Sequence, residues 1–161
     1  MEKKCIPHFL IIGAPKCGTT ALWHFLNQHP DICMSTNKEP RFFTQIKGSM
    51  EKKITGDGAR LSGTFNRGYS WYLSLFENYK EQQLAGEAST IYFANEDSPK
   101  LIYDHNADIK LILMLRHPVK RLYSHYWQEH KLGFDFPSFP SMMADNHPRY
   151  RYYKKISHYK Q

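Results

Sequence analysis

One segment of eight residues, GAPKCGTT at positions 13–20, restricts the fold of this chain more than any other. The apolar run HFLIIG at residues 8–13 leads into it, and such a run is typical of a strand buried on both faces of a parallel sheet. Apolar residues then recur at helical spacing over residues 21–26, until the sequence NQHP ends the helix. A strand that passes through a short glycine-containing loop into a helix indicates an α/β fold.

The rest of the chain continues this alternation of strands and helices. Parallel strands joined by helices wind in the right-handed sense, so we expect a P-loop NTPase-like parallel sheet flanked by helices. We expect this sheet to be incomplete at its C-terminal end, because the sequence stops before a further strand. The predicted strands are at 32–34, within 84–90 (a strand followed by a turn) and at 110–116, and the predicted helices are at 69–76, 97–106 and 119–131.

Length and charge limit the possible partners. A chain of 161 residues has the length of a single domain, which we assign to residues 1–161, with a mobile loop at 44–66 and an incomplete tail at 133–161. The formal net charge of +7 suits an anionic ligand or a polyanionic substrate, although a solvated basic surface explains the charge equally well. No helix-turn-helix, zinc or RNA-binding signature is present, so we expect no nucleic-acid partner.

Other classes of protein are disfavoured by what the sequence lacks. The three cysteines are an odd number without paired spacing and the nine histidines are scattered, which argues against a disulfide framework and a metal site. No apolar run approaches the roughly 18 residues needed to span a membrane. A signal peptide has no room before the first strand, and we therefore expect a cytoplasmic protein without a membrane span.

The loop at 13–20 has the features of an anion site. Backbone N–H groups and the positive end of the helix dipole meet there, and Gly13 and Gly18 let the backbone approach a ligand. Lys16 adds a positive charge, and Thr19 and Thr20 add hydroxyl donors. Thr19 stands where the usual G-x-x-x-x-G-K-[ST] signature has its lysine. A tight turn whose glycines serve only packing is the alternative.

A second cationic cluster follows the strand predicted at 110–116. Arg116, Lys120, Arg121 and Ser124 surround the start of the next helix, and the planar guanidinium of arginine can bind a phosphate through two parallel hydrogen bonds. A nucleoside triphosphatase would end such a strand with an aspartate that helps to hold Mg²⁺. Two anion sites without that aspartate favour a nucleotide with two separated phosphate groups. The alternative is that these charged side chains only solvate the helix surface, which does explain the presence of Lys120.

These two motifs resemble those of the sulfotransferases that use 3′-phosphoadenylyl sulfate (PAPS). GAPKCGTTALWHFLNQHP is similar to the family's 5′-phosphosulfate loop, and RHPVKRLYSHY fits its 3′-phosphate motif, R-x-P-x-x-R-x-x-S-x-Y. The segments KEPRFF and RGYSWYLSLF resemble the branch that contains heparan sulfate and bacterial carbohydrate sulfotransferases. The resemblance extends from residue 8 to residue 131.

The resemblance implies a role for each matching residue and a reaction without a metal. Lys16 would stabilise charge on the transferred sulfuryl group, and Glu39 would be the base that takes the proton of an acceptor hydroxyl or amine, with a carbohydrate acceptor favoured. An exposed turn carboxylate is the alternative for Glu39. Arg116 and Ser124 would hold the 3′-phosphate. The loop residues implied in binding the 5′ end of PAPS are Pro15, Lys16, Cys17, Gly18, Thr19 and Thr20.

The chain departs from the family pattern in three places, one of which is His117, where an acidic or amide residue is more common. Many carbohydrate sulfotransferases have a lysine at the position of Ala88. The family also continues beyond a helix whose beginning SHYKQ resembles, so the chain looks cut short. A noncatalytic remnant that binds PAPS or its product PAP is therefore an alternative function, and a small P-loop kinase or NTPase is a second.

Overall fold

The computed structural model describes residues 7–44, 67–133 and 137–144. Four parallel strands form one sheet: β1 (Phe9–Gly13), β2 (Ile32–Met34), β3 (Leu84–Ala88) and β4 (Lys110–Leu113). They lie in the order β2-β3-β1-β4, so that the first strand of the chain has a neighbour on both sides. The predicted α/β class with a parallel sheet is confirmed.

Helices connect and follow the strands. Pro118 is the first residue of the longest described helix, where its missing N–H costs nothing, and Gly133 adopts a φ of 83° shortly after that helix ends. Pro99 lies in the first turn of the preceding helix for the same reason. The helices are α1 (Thr19–Leu26), α2 (Tyr69–Ser74), α3 (Ser98–His105), α4 (Pro118–Lys131) and α5 (Phe139–Ala144), with a 3₁₀ turn at Thr90–Phe93.

The strand predicted at 110–116 ends earlier than the sequence indicated. β4 pairs with β1 up to Leu113, where the register between the strands shifts. Met114 still exchanges two backbone hydrogen bonds of 2.8 Å with Gly13 and Ala14. Residues 114–117 then leave the sheet, because Pro118 starts α4. Arg116 therefore lies in the connection between strand and helix, beside the loop that follows β1.

The core lies on both faces of β1, whose side chains alternate between them. Leu10 packs with the aromatic side chains of Phe42, Phe43 and Tyr72 in one cluster, and Ile11 packs below α1 in the other. On β4 the side chains of Leu111 and Leu113 remain 53% and 39% exposed, so this edge strand is not covered by the described part of the chain.

Two predicted segments fall largely outside the described residues. Residues 45–66 of the predicted mobile loop, and residues 134–136 and 145–161 of the predicted tail, are among them. Within the ranges that the structure describes, no helix has the length and apolar character needed to cross a bilayer.

Candidate active site

The loop predicted to bind an anion lies at the carboxyl end of β1, and its backbone requires glycine at both ends. A Cβ atom at Gly13 would lie 2.9 Å from the Cβ atom of Phe93, and the φ of Gly13 is 149°. Gly18 precedes α1 with a φ of 90°, which L side chains rarely adopt. Gly18 is the N-cap residue of α1, and no side-chain hydrogen bond caps this helix end. Its first N–H groups are therefore available to an anion.

The other loop residues differ in exposure. Thr19 is buried, whereas Thr20 is exposed at the surface of α1. The thiol of Cys17 is buried and lies 3.7 Å from the carbonyl oxygen of Pro15, and the Cys17 N–H donates to the carbonyl oxygen of Ala14 at 3.2 Å, so Cys17 shapes the loop from within. Lys16 is half-buried and has a φ of 68°. The loop thus presents backbone amides, one hydroxyl and one lysine.

The second predicted anion site meets the first in one cleft. The Arg116 guanidinium donates a 3.3 Å hydrogen bond from Nη1 to the carbonyl oxygen of Lys16. Ser124 lies two turns along α4, on the side that faces the loop. The cleft has a volume of about 430 Å³ and is lined by Lys16, Arg116, Lys120, Tyr123, Ser124, Trp127, Gln128 and Lys131.

Arg121, which the sequence placed among the ligands of the second site, lies elsewhere. Its side chain is fully buried and donates from Nη1 to the carbonyl oxygen of Pro15 at 3.5 Å. The same nitrogen lies 3.4 Å from Nδ1 of His125. Burial, and then the charges of Arg121 and Lys16, lower the pKa of His125 to about 3, so this imidazole is neutral at physiological pH. Arg121 therefore contacts the loop from the protein interior and does not face the cleft.

The cleft is strongly electropositive around Lys16. Burial is the main cause that lowers the pKa of Lys16 below its usual value, and the charges of Arg116, Lys131 and Lys38 lower it further. Cations from three separate segments of the chain therefore act on one ammonium group. Such an arrangement favours a ligand with several negative charges, because an anion compensates the repulsion.

Glu39 is held firmly in a loop beside this cleft, although it does not line it. Thr90 donates to the Glu39 carboxylate twice, from its backbone N–H to Oε2 at 3.1 Å and from its hydroxyl to Oε1 at 3.0 Å. Lys38 Nζ lies 2.7 Å from Oε1, and Arg41 Nε lies 3.7 Å from Oε2. The Glu39 N–H donates to the carbonyl oxygen of Ala88 at 2.8 Å.

Lys38 connects Glu39 to the cleft. It forms an ion pair with Glu39, and its charge also acts on Lys16. The structure therefore brings Lys16, Arg116 and Ser124 together, and it places Lys38, the ion-pair partner of Glu39, within electrostatic range of Lys16. The carboxylate is half-buried and the lysine that pairs with it is 20% exposed, which leaves the loop open to a ligand from solvent.

Sequence reasoning missed three residues that shape this site. Lys131 follows Lys120 and Ser124 at helical spacing on α4, and that spacing could have indicated its position. Lys38 adjoins Glu39 in the chain. Thr90, by contrast, lies 51 positions from the carboxylate that it contacts, and no sequence pattern points to it.

Metal ligands are not gathered at the site. In residues 7–44, 67–133 and 137–144, no group of three or more His, Cys, Asp or Glu side chains could hold a metal ion. The cations of the cleft are all contributed by lysine and arginine side chains.

Comparisons with known proteins identify the family. A sequence profile described as "Sulfotransferase domain" matches residues 6–158, which is nearly the whole chain. The chain belongs to the sulfotransferase family. The crystal structure of a sulfotransferase from Alicyclobacillus acidocaldarius superposes on this family member with a TM-score of 0.77 and 31% sequence identity, and the match covers 94% of this chain and 64% of that one.

Curated relatives of this family member include carbohydrate-modifying proteins. Heparan sulfate glucosamine 3-O-sulfotransferase 3A1 of Mus musculus is 33% identical over 143 residues, which are 89% of this chain and 32% of the relative. Carbohydrate sulfotransferase 15 of Homo sapiens is 32% identical, and the match covers 76% of this chain and 27% of the relative. The chain thus spans about a third of the length of the curated relatives that it matches.

Proposed function

We propose that this protein transfers a sulfuryl group from PAPS to a hydroxyl or amine of an acceptor. The observation that carries the proposal is the single cleft in which Lys16 of the glycine-containing loop and Arg116 of the second motif touch each other. A donor with phosphate groups at its 5′ and 3′ positions suits a cleft with two cationic ends. The matching family profile supports a sulfuryl donor rather than a phosphoryl donor.

In the proposed complex the loop binds the 5′ end of the donor. The backbone N–H groups of Lys16 and of residues 18–20 would face the 5′-phosphate, with the hydroxyl of Thr20 as an additional donor. Lys16 would stabilise the charge that develops on the leaving phosphate as the sulfur–oxygen bond breaks. Arg116 and Ser124 would bind the 3′-phosphate at the other end of the cleft.

The proposed base is Glu39. In an in-line transfer, the acceptor oxygen or nitrogen forms a bond to sulfur while the bond from sulfur to the phosphate oxygen of PAPS breaks, which releases PAP. The acceptor proton passes to the Glu39 carboxylate. Two hydrogen bonds from Thr90 and ion pairs with Lys38 and Arg41 fix this carboxylate in one orientation, as a base that must meet a bound acceptor requires.

We propose a carbohydrate as the acceptor. Two relatives carry names that refer to heparan sulfate glucosamine and to carbohydrate, and both match over at least 76% of this chain. The formal net charge of +7 suits an acceptor that is itself anionic.

Sulfate transfer to a panel of acceptors tests the proposal. The chain would be incubated with PAPS and with oligosaccharide, phenol or amine acceptors, and the sulfated product and PAP would be measured by mass spectrometry. Glu39→Gln should reduce transfer by roughly 100-fold or more, the scale of a general base, and should leave PAP affinity unchanged. Glu77→Gln is the matched control, because Glu77 is exposed at the end of α2. Full activity of the Glu39 variant would exclude this base.

A second candidate function is a PAPS- or PAP-binding protein without transfer. The observation that favours it is that Glu39, the proposed base, does not line the cleft that contains Lys16 and Arg116. Calorimetry with PAP, in the presence and absence of EDTA, separates the two functions when it is combined with the transfer assay. We expect PAP to bind equally well with EDTA. Binding without transfer to any acceptor would favour the second function, and binding that EDTA abolishes would contradict a metal-free site.

A further inference from the structure

A carboxylate that the proposed reaction does not use lies under the Glu39 loop. Glu87 is on β3, next to Leu10 of β1, and its side chain is completely buried. A buried carboxylate is costly unless it accepts hydrogen bonds. Glu87 accepts three of them, all from hydroxyl groups.

The three donors come from three elements. The Tyr92 hydroxyl lies 2.5 Å from Oε1 of Glu87, and the Tyr72 hydroxyl lies 3.3 Å from the same atom. The Ser89 hydroxyl donates to Oε2 at 2.8 Å. Each hydroxyl has a single hydrogen, which is directed at the carboxylate, so its lone pairs must face elsewhere.

Two of these hydroxyls accept hydrogen bonds from the loop that carries Glu39. The N–H of Arg41 donates to the Ser89 hydroxyl at 2.8 Å, and the N–H of Phe43 donates to the Tyr92 hydroxyl at 3.3 Å. The Tyr72 hydroxyl has no such link to residues 39–43. Glu87 is thus connected to the loop backbone through two hydroxyl groups, each of which donates to the carboxylate and accepts from a loop N–H. We call these two connections the relays. The orientation of both hydroxyl groups depends on the carboxylate as acceptor.

The loop needs such support because its backbone is unusual. Glu39 and Arg41 have φ values of 62° and 57°, although neither is glycine. Residues of this kind stay in the left-handed region only where their surroundings fix them. The relays hold the backbone N–H groups of Arg41 and Phe43, which lie two and four positions after Glu39.

We propose that Glu87 is a positioning residue, which sets the conformation of residues 39–43 through the hydroxyls of Ser89 and Tyr92 and so places the Glu39 carboxylate for proton transfer. This inference rests on the proposed role of Glu39 as the base. Glu87 does not itself contact donor or acceptor, since it is buried beneath the loop.

The protonation state of Glu87 affects the relays. Burial raises the pKa of Glu87 to about 7, and the charge of Glu39 raises it too, while the hydrogen bonds from Tyr92, Ser89 and Tyr72 lower it. The two tyrosines have pKa values well above their usual range because they are buried, so they stay neutral. A protonated Glu87 would be a donor, and one hydroxyl would have to turn away from it. The ionised form therefore favours the active loop.

Turnover and its pH dependence test the inference. Glu87→Gln and Ser89→Ala should each lower kcat for sulfate transfer by about tenfold to hundredfold, the cost of a misplaced catalytic group, with the KM for PAPS within about twofold of wild type. The kcat of the wild-type chain should rise with a midpoint near pH 7, and Glu87→Gln should lack this step.

Tyr72→Phe is the matched control for the relays. It removes a hydrogen bond to Glu87 but keeps the aromatic ring that packs on Phe42 and Phe43, and the hydroxyl that is lost bonds to no backbone N–H of residues 39–43. We expect its maximal kcat to equal that of wild type, with the midpoint of the pH profile moved to higher pH, because a bond that stabilises the anion is lost. An equal loss of kcat in Tyr72→Phe and Glu87→Gln would overturn the inference, since general damage to the core would explain both.

Amide hydrogen exchange provides a readout that does not depend on activity. The N–H groups of Arg41 and Phe43 should exchange faster in Glu87→Gln than in wild type or Tyr72→Phe. If the wild-type chain transfers no sulfate and these amides still lose protection in Glu87→Gln, the relay stands and the proposed function fails. If transfer occurs but protection, kcat and pH profile are unchanged in Glu87→Gln, the inference fails and the proposed function stands.

Discussion

Nη1 of Arg116 lies 3.3 Å from the carbonyl oxygen of Lys16, so the two motifs predicted to bind anions in this sulfotransferase-family chain are in direct contact. The contact engages the Lys16 carbonyl oxygen, and both side chains line the same cleft. Lys16 and Arg116 therefore belong to one cleft, and we propose a separate task for each of them in binding the donor.

Substitutions at these two positions should have different kinetic effects. Arg116→Ala should raise the Kd for PAP by roughly tenfold to hundredfold, since a hydrogen bond to a charged group contributes about 1.5–3 kcal/mol. Lys16→Met should lower transfer from PAPS far more than it weakens PAP binding. Calorimetry and a transfer assay measure both effects, with the exposed Lys80→Met as the control. Indistinguishable profiles for the two variants would refute the separation of tasks.

The affinity for PAP should fall as the pH rises from 7 towards 10. Burial and neighbouring cations lower the pKa of Lys16, so its charged fraction is lost at a lower pH than for an ordinary lysine. A bound phosphate favours the charged form, and binding in this range therefore takes up a proton, with at most a tenfold loss of affinity per pH unit. Titrations in buffers of different ionisation enthalpy would detect the uptake. Lys16→Met should abolish it, and a persistent uptake would point to another group.

Replacement of Arg121 should destabilise the fold. Arg121→Met keeps the length of the side chain but removes the donor to the Pro15 carbonyl oxygen, which should lower the free energy of unfolding by about 1–3 kcal/mol. Lys120→Met is the comparison, because Lys120 is exposed on the same helix and its loss should change stability by less than about 0.5 kcal/mol. Urea unfolding measures both values. Equal stability of the two variants would mean that Arg121 does not support the loop.

The stability of the chain should depend on the protonation of Glu87. Its pKa is raised from 4.5 to about 7, so folding favours the protonated form. The contribution of Glu87 is fully present below pH 4.5 and is lost as the pH rises through 7, by roughly 3 kcal/mol. Unfolding free energies at pH 5 and pH 8 should therefore differ less in Glu87→Gln than in wild type. Parallel pH dependence of the two chains would contradict the raised pKa.

The loop between β1 and α1 could be predicted because its signals are local. A buried strand, two glycines and a helical pattern occupy one continuous stretch, and the structure follows it almost residue by residue. The end of β4 was predicted three residues late. Met114 still pairs with Gly13 after the regular strand has ended, and the shift in register that ends the strand is not visible in the sequence.

The buried supports of the site could not be predicted in the same way. Arg121 fits a motif in which an arginine suggests an anion, yet it contacts a carbonyl oxygen 106 positions earlier in the chain. The hydroxyls of Ser89 and Tyr92 reach backbone N–H groups 48 and 49 positions away. Contacts of this length depend on how the strands are ordered in the sheet, and one sequence does not reveal that order.

The contact between Lys16 and Arg116 joins residues that are 100 positions apart, and this separation affects how the chain assembles. The ribosome releases β1 and the loop long before β4 and α4, so the cleft does not exist until the edge strand has docked. Closing so long a stretch of chain is a slow, nonlocal step. A nucleotide that binds to both residues would hold the edge strand against the centre of the sheet. The donor would thus assist the docking of this strand as well as take part in the proposed reaction.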